Sequence, residues 1–221
     1  MRRCATRSSR RSMASSSAPR APSANKWRCY AVAERLTRGR RRTTPDQWAA
    51  ENRVYPPSAG IPGPRDPWLT PYTIAFARTV AERRYRKVVL AMGAQGGKTD
   101  TLLDVIGHRV AERPAPILYV GPNKQFLNEQ FEPRLMGLLD EAETVRDLVA
   151  RGKRMTKTRK VIAGVPLRLA HAGSSTALKS DPAALALTDE ADELMANVKG
   201  QGDPIGLVDA RGDTYADFVH A

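Results

Sequence analysis

The chain has 221 residues, of which 41% are hydrophobic, so it is long enough for one domain with a substantial core. Its net charge is +13, but residues 1–43 hold 13 Lys/Arg and a single acid, Glu34, so residues 44–221 are nearly neutral. This distribution excludes a domain that is basic throughout and places the basic character in the N-terminal stretch. Both cysteines, Cys4 and Cys29, lie there too, which excludes a disulfide framework.

The N-terminal stretch, residues 1–43, is rich in Arg, Ser, Ala and Pro and has no apolar periodicity. This composition predicts a disordered arm. Its cluster Arg38-Gly-Arg-Arg-Arg42 could contact phosphate, or the arm could be a solvated tail without function. It has no secretory signal, and no apolar run in the chain is long enough for a membrane span, so we expect a cytosolic protein.

The first predicted elements are helices that precede the most informative stretch of the chain. Capping and proline signals predict a short helix from Pro45 to about Arg53, and residues 56–67 contain too many breakers for a regular element. A second amphipathic helix is predicted over residues 70–84. Trp68 lies just before it and Tyr72 inside it, and two interpretations stay open for them: stacking on an adenine base, or packing in the core or between domains.

Residues 87–99 combine an apolar run with a glycine-rich loop. The run Val88–Ala91 predicts a buried strand, and the loop Gly93-Ala-Gln-Gly-Gly-Lys98-Thr99 then opens a helix. Such a loop can bind a triphosphate through backbone N–H groups, with Lys98 on the β and γ oxygens and the Thr99 hydroxyl on Mg²⁺. The predicted nucleotide-binding residues are those of the loop: Gly93, Ala94, Gln95, Gly96, Gly97, Lys98 and Thr99.

The general phosphate-loop pattern has a glycine six positions before its lysine, and Met92 stands there in this chain. The alternative interpretation is an ordinary strand–turn–helix corner with an exposed lysine. The preceding apolar run and a second, acidic motif downstream favour nucleotide binding.

The elements after the loop alternate between helix and strand. An amphipathic helix is predicted over residues 98–111 and a buried strand over 114–122, so that the strand at 87–91 and this strand form a parallel unit. Residues 123–150 are predicted as two helical pieces interrupted near Pro133. Residues 160–170 are predicted as two short strands about a turn at Gly164.

The acidic motif is Ala184-Leu-Ala-Leu-Thr-Asp-Glu-Ala-Asp-Glu193, an apolar strand that ends in adjacent carboxylates. Ligands bind at the carboxyl ends of parallel strands, so Asp189 is expected to face Lys98 and Thr99 across one crevice. We expect Asp189 to order Mg²⁺ and Glu190 to polarise the water that attacks the γ-phosphate. On its own, the motif could equally be a helix start with acids in its first turn.

The three histidines are scattered and predicted to be ordinary surface or core residues: His108, His171 and His220.

Together these elements predict an α/β fold over residues 44–221. The expected architecture is a three-layer P-loop NTPase, with a mostly parallel sheet between two layers of helices.

Four stretches of the chain resemble the ATPase domain of tailed-phage large terminase subunits of the GpA type. They are Trp48-Ala-Ala-Glu-Asn-Arg with its Pro-rich sequel to Pro71, the loop Gly93–Thr99, the segment Gly173–Ser180, and Leu187-Thr-Asp-Glu-Ala-Asp192 followed by Gly202-Asp-Pro204. The resemblance covers about residues 45–221.

The resemblance implies an ATP- and Mg²⁺-dependent motor that translocates double-stranded DNA into a procapsid in the host cytoplasm. It implies a small terminase subunit and a portal protein as partners, and a homo-oligomer when assembled. It places Gln95 near the γ-phosphate. Members of this family continue into a coupling strand and a nuclease domain, so we expect an incomplete ATPase domain in which residues 215–219 begin the coupling strand. Such a chain alone is expected to bind ATP weakly and to hydrolyse it slowly or not at all.

Two alternatives to a packaging ATPase remain at this stage. The stretch Asp189-Glu-Ala-Asp192 also fits the acidic box of DEAD-like helicases and other nucleic-acid-dependent ATPases. The chain could also be an inactive prophage remnant that binds nucleotide or DNA without catalysis.

Overall fold

The computed structural model describes residues 43–149, 155–179, 181–194, 197–198, 200 and 202–221. The predicted disordered arm therefore lies outside the described residues, except for Thr43. The Thr43 hydroxyl donates a hydrogen bond to Glu112, and the Thr43 carbonyl lies 2.8 Å from Nε2 of His108.

The described chain begins with short elements that precede the glycine-rich loop. Helix α1 spans Pro45–Asn52, and two-residue strands β1 (Val54–Tyr55) and β2 (Gly63–Pro64) pair antiparallel. Two 3₁₀ turns, Pro67–Leu69 and Pro71–Thr73, lead into helix α2, Ile74–Glu82. The predicted second helix therefore starts four residues late, because Pro71 begins a tighter 3₁₀ turn that ends at Thr73.

The remaining elements include the predicted helical and strand segments and two short helices that were not predicted, at 175–179 and 204–209. Helices are α3 (Lys98–Glu112), α4 (Lys124–Phe126), α5 (Glu132–Glu141), α6 (Glu143–Arg146), α7 (Ser175–Lys179) and α8 (Pro204–Asp209). Strands are β3 (Ile117–Gly121), β4 (Arg159–Ile162), β5 (Val165–His171), β6 (Leu185–Thr188) and β7 (Val219–His220). Helical residues run without a break from Lys124 to Glu141 through a π-helical turn at Leu127–Phe131, so the helix is interrupted at Ala142 and not near Pro133.

Strands β3 to β7 form one sheet in the order β4-β5-β3-β6-β7. Strand β3 pairs in parallel with β5 and β6, and β6 pairs in parallel with β7. Strand β4 is antiparallel to its neighbour, because the Ala163–Gly164 turn, with φ of 51° and 81°, joins it to β5 as a tight hairpin. The predicted hairpin about Gly164 is confirmed, and so is the mostly parallel α/β sheet.

Successive residues of the central strands enter different layers of the core. On β3, Tyr119 faces a cluster formed with α1, α2, α3, α5 and α6, while Leu118 and Val120 face a smaller cluster with α7 and α8. On β6, Leu185 and Leu187 face the first cluster and Ala186 faces the second. This alternation places helices on both faces of the sheet, which confirms the predicted three-layer arrangement.

The segment that leads into the glycine-rich loop differs from the sequence prediction. Residues 87–91 were expected to form a buried strand paired with residues 114–122, but only Lys87 makes a bridge, and its partner is His220 of β7. The segment lies beside β7, with β6 between β7 and β3. Val88 and Leu90 pack against the core, whereas Val89 is 79% exposed, because described residues cover only one side of the segment.

A buried charge network anchors the N-terminal elements to α3. Asp104 accepts hydrogen bonds from Arg53 and from Arg65, whose Nε and Nη2 each lie 3.3 Å from Asp104 Oδ2. Arg53 also donates to the Asp100 carbonyl at 3.0 Å. All three charged residues of the Arg53–Asp104–Arg65 cluster are buried. These contacts fix the first turns of α3, and therefore the loop that precedes them.

Candidate functional site

The glycine-rich loop leads directly into the N-terminus of α3. Gly97 precedes the helix with a φ of 81°, a left-handed conformation that favours glycine. A Cβ there would also lie 3.2 Å from Cγ2 of Thr70, so the loop packs against the segment held by Arg65. The loop therefore presents backbone N–H groups at the positive end of a 15-residue helix, an arrangement that binds anions.

Met92, at the position where the general pattern has glycine, folds its side chain over the loop. Its Cε would lie 2.2 Å from a Cβ added at Gly96. The space that glycine leaves open at position 96 is therefore occupied by the terminal methyl group of a flexible side chain, which can move aside.

The carboxylate of Asp189 lies within hydrogen-bonding distance of the first turn of α3. Its Oδ2 accepts a hydrogen bond from Thr99 Oγ1 at 2.7 Å and a second from the Tyr119 hydroxyl at 2.9 Å. Its Oδ1 accepts from the backbone N–H of Glu190 at 3.1 Å. Asp189 is buried and follows β6 directly, so the structure brings together the two groups that sequence reasoning assigned to Mg²⁺.

A cavity of about 400 Å³ opens beside this contact. Lys98, Asp189 and Glu190 line it on the polar side. Its apolar side comes from the loop segment and from neighbouring helices, including Phe76, Val88, Leu90, Met92, Leu102 and Ile205. The volume and the combination of lysine ammonium groups, carboxylates and apolar walls suit a small-molecule ligand.

Glu190 has an unusual backbone conformation and an unfavourable electrostatic environment. Its φ and ψ are both 52°, which is the left-handed region. Partial burial raises the pKa of its carboxyl group, the nearby Glu193 and Asp189 raise it further, and Lys98 opposes the shift. A strained residue with a raised pKa at the edge of a cavity is a candidate general base.

His220 joins three elements next to this site. Its Nδ1 lies 2.6 Å from Asp209 Oδ1 and its Nε2 lies 2.8 Å from Thr188 Oγ1. Lys87 donates to the other oxygen of Asp209 at 2.7 Å. Burial lowers the pKa of His220 even though Asp209 opposes the shift. The prediction of an ordinary surface or core histidine missed this cross-link of β6, β7 and α8, which no local sequence signal indicates.

Several other predicted site residues lie outside the cavity lining. Gly93, Ala94 and Gln95 are exposed, and they are not among the described residues that line the cavity. Trp68 is 72% exposed and Tyr72 is 57% exposed, so neither packs in the core of this domain, and packing against another domain stays a prediction. Stacking on a base stays a prediction.

The donor set fits Mg²⁺ in the way that nucleotide sites use it. Mg²⁺ is usually held by one or two carboxylates, with water and substrate phosphates completing the shell. Asp189 and Thr99 offer one carboxylate and one hydroxyl, and the described residues contain no group of three or more His, Cys, Asp or Glu that could hold a metal alone. These residues therefore suit a cation that arrives with a phosphate ligand.

Among the described residues, no helix has the length and apolar character needed to cross a membrane.

Comparison with known families separates two of the alternatives left by the motifs, a terminase ATPase domain and a helicase. Residues 59–219 match the family described as "Phage terminase large subunit gpA, ATPase domain". The chain belongs to this family. The match covers the glycine-rich loop, Asp189 and Glu190, and it favours a terminase ATPase domain over a helicase.

The fold of this terminase ATPase domain agrees with a solved structure. The crystal structure of the HK97 bacteriophage large terminase superposes with a TM-score of 0.62 at 13% sequence identity, over 80% of this chain. The likeness at that identity shows a shared fold. This chain spans 37% of the length of the HK97 protein. No curated protein matches this chain.

Proposed function

We propose that this chain binds ATP with Mg²⁺ and hydrolyses it in a DNA-packaging motor. The observation that carries the proposal is the 2.7 Å hydrogen bond between Thr99 and Asp189, which joins the two motifs at one cavity within a terminase ATPase domain. Backbone N–H groups of the loop and the Lys98 ammonium group would hold the phosphates. Thr99 and Asp189 would hold Mg²⁺, which neutralises negative charge on the phosphates when bound.

Glu190 is the proposed general base. Its raised pKa makes it a better proton acceptor than an ordinary carboxylate, and it lines the cavity beside Lys98. Gln95, exposed on the loop, would approach the γ-phosphate when the nucleotide is bound. The described residues that line the cavity include Lys87 and Lys98 but no arginine. Absence of an arginine at the transition state can cost about 10³–10⁵ in rate, so turnover by the chain alone should be slow.

The wider role would be translocation of double-stranded DNA into a procapsid in the host cytoplasm. A small terminase subunit, a portal protein and further copies of the chain would be its partners. Family membership supports this role. Stimulation of ATP turnover by double-stranded DNA and by a portal protein encoded nearby would test it.

Variants of Lys98 and Glu190 test the ATPase proposal directly. Lys98→Ala should weaken binding of a fluorescent ATP analogue, because it removes the cation that contacts the phosphates. Glu190→Gln should retain binding but lower single-turnover hydrolysis by about 10²–10⁴-fold, because it removes the base. Binding is measured by fluorescence anisotropy, and hydrolysis by release of labelled phosphate.

Two controls match the charge changes. Lys124→Ala removes an exposed lysine of α4 and Glu129→Gln removes an exposed carboxylate of the turn Leu127–Phe131, and both should leave binding and hydrolysis close to the original values. Equal binding by the original chain and Lys98→Ala would refute nucleotide binding in the loop. Hydrolysis that survives Glu190→Gln would refute the assignment of the base.

A further inference from the structure

Tyr119 connects the centre of the sheet to the predicted cation site. It lies in the middle of β3 and is fully buried, and its partner in the parallel register is Leu187 of β6. Asp189 follows two residues after Leu187, so the two side chains emerge on the same face of the sheet. The Tyr119 hydroxyl crosses from β3 to the end of β6 and donates to Asp189 Oδ2 at 2.9 Å.

The hydroxyl shares its acceptor atom with Thr99. Both donors bind Oδ2 of Asp189, at 2.9 Å and 2.7 Å, while the other oxygen, Oδ1, accepts from the local N–H of Glu190. Two hydrogen bonds from different elements on one oxygen fix the rotation of the carboxylate about its Cβ–Cγ bond. The orientation of Asp189 therefore depends on Tyr119 of β3 as well as on Thr99 of α3.

The ring of Tyr119 is itself held in place. Phe131, which is also fully buried, stacks on it with ring centroids 3.5 Å apart and an interplanar angle of 11°. Phe131 ends the π-helical turn Leu127–Phe131, an irregular turn that changes the register of the following helix residues.

We propose that Tyr119 is a positioning residue that orients Asp189 toward the divalent cation of the nucleotide site. Tyr119 does not contact the cation; it acts through the carboxylate. The inference rests on the proposed ATPase function. A merely structural tyrosine would satisfy its buried hydroxyl without affecting cation affinity, so the two roles differ in one measurable quantity.

The test uses Tyr119→Phe, which removes the hydroxyl and retains the stacked ring. The full chain is titrated with Mg²⁺ at a fixed concentration of a fluorescent ADP analogue, and binding is followed by anisotropy. Tyr119→Phe should raise the Mg²⁺ concentration at half-saturation by about 10-fold or more, the usual range when a group that orients a metal ligand is removed. Binding of the analogue without Mg²⁺ should not change.

Trp48→Phe is the matched control. Trp48 is a buried aromatic residue of α1 whose Nε1 donates to Thr144 at 3.2 Å, so its replacement also removes a partly buried hydrogen bond, in another part of the domain. It should leave the Mg²⁺ dependence unchanged. Asp189→Asn should weaken Mg²⁺ binding, and Tyr119→Phe should add nothing in that background, because the two residues act as a unit.

The two proposals fail on different results. A Mg²⁺ dependence of Tyr119→Phe equal to that of the original chain, or to that of Trp48→Phe, would overturn the positioning role and leave the ATPase proposal intact. Should the original chain bind the analogue no better than Lys98→Ala, the ATPase proposal falls and the positioning role falls with it.

A second variant covers the case in which Tyr119→Phe does not fold. Phe131→Leu keeps the Tyr119 hydroxyl but removes its stacking partner. It should also weaken Mg²⁺ binding, and a dependence equal to that of Trp48→Phe would overturn the proposal.

Discussion

At the residue scale, Glu190 is the proposed general base and also has an unfavourable backbone conformation and unfavourable charged neighbours. Its left-handed backbone is unfavourable for a residue with a Cβ, and its carboxyl group sits beside Asp189 and Glu193. Removing the charge should therefore relieve an electrostatic strain that is present only when Glu190 is ionised.

We expect Glu190→Gln to make the folded chain more stable at pH 7 although it slows hydrolysis. The ordinary pKa of this carboxyl group is 4.5, and folding raises it. Below both the unfolded and folded pKa values, glutamic acid and glutamine are both neutral, so the two proteins should be equally stable. As pH rises through and above about 4.5, ionisation favours the unfolded chain, and the original protein loses stability relative to the variant.

Urea denaturation of both proteins between pH 4 and pH 7 measures this difference, with Glu129→Gln as an exposed control. A stability difference that grows toward low pH would have the wrong sign and would contradict the predicted environment of Glu190.

The residues of the site differ in how far sequence could predict them. Thr99 and Asp189 lie 90 positions apart, yet their motifs place both at carboxyl ends of strands, so their convergence could be predicted. Tyr119 has no such signal, because a tyrosine inside an apolar strand looks like any core aromatic. Its role depends on the parallel register of β3 with β6, which is a property of the assembled sheet.

At the scale of elements, the chain before the loop is attached to α3 through buried charge. The cluster Arg53–Asp104–Arg65 joins residues up to 51 positions apart, and it also lies outside what local patterns predict. Asp104 looks like a polar position of an amphipathic helix in the sequence. It is buried because α1 and the β1–β2 hairpin cover that face of α3.

Asp104→Ala should lower the free energy of unfolding by about 3–5 kcal/mol, since it leaves the buried Arg65 guanidinium group without a counter-charge and leaves Arg53 with only the partly exposed Asp100. Asp213→Ala is the matched control, because its ion pair with Arg86 is largely exposed, at 77% and 64% of the two side chains. It should cost no more than about 1 kcal/mol. Urea denaturation measures both. Similar losses for the two variants would show that the Asp104 cluster is not the anchor that its burial indicates.

The segment at residues 87–91 shows why an apolar run does not by itself define a buried strand. Its composition is that of a central strand, but its exposure depends on how many neighbours the sheet provides. Val88 is half-buried against the core and Val89 faces solvent on the other side. Side chains of this segment still alternate between the core and solvent. The apolar run implied a neighbouring strand on each side, and the described residues provide a neighbour on one side only.

Substitutions at the two valines should separate these environments. Val89→Thr should change the free energy of unfolding by no more than about 0.5 kcal/mol, as expected for a surface position. Val88→Thr places a hydroxyl against the core and should cost about 1–2 kcal/mol. Thermal unfolding of the two variants compares the same chemical change on opposite faces. A larger loss at Val89 than at Val88 would mean that Val89 is covered in solution.

At the scale of the whole molecule, the layered architecture followed from the alternation of apolar runs and amphipathic helices, and the structure confirms it. The order of the strands in the sheet could not be predicted from that alternation. Residues 87–91 lie beside β7, and β6 separates β7 from β3. Residues 87–91 and β3 are therefore not neighbours in the sheet, although only the loop and α3 separate them in the chain. Which strands become neighbours is set by long-range pairing that no window of sequence contains.

The distribution of charge is also a property of the whole chain. Residues 1–43 hold 13 of the 36 Lys/Arg and only one of the 23 acidic residues. Protein cations that bind DNA phosphates release counterions, so removing one such cation should lower the slope of log affinity against log salt by about 0.9. If the arm supplies most of the nonspecific DNA binding, both affinity and salt dependence should depend on it.

Deletion of residues 1–42 should therefore weaken binding of nonspecific double-stranded DNA and flatten its salt dependence, with little change in melting temperature. The deletion keeps Thr43, whose hydrogen bonds with Glu112 and His108 belong to the folded domain. Binding is measured by anisotropy between 50 and 200 mM salt, the range in which affinity falls most visibly, by about 10³–10⁵-fold for proteins that bind 6–10 phosphates. Replacing only the four arginines of Arg38–Arg42 by glutamine should give an intermediate slope. An unchanged slope after deletion would place the DNA-binding cations on the nearly neutral domain, and a large loss of melting temperature would show that the arm packs on that domain and is not disordered.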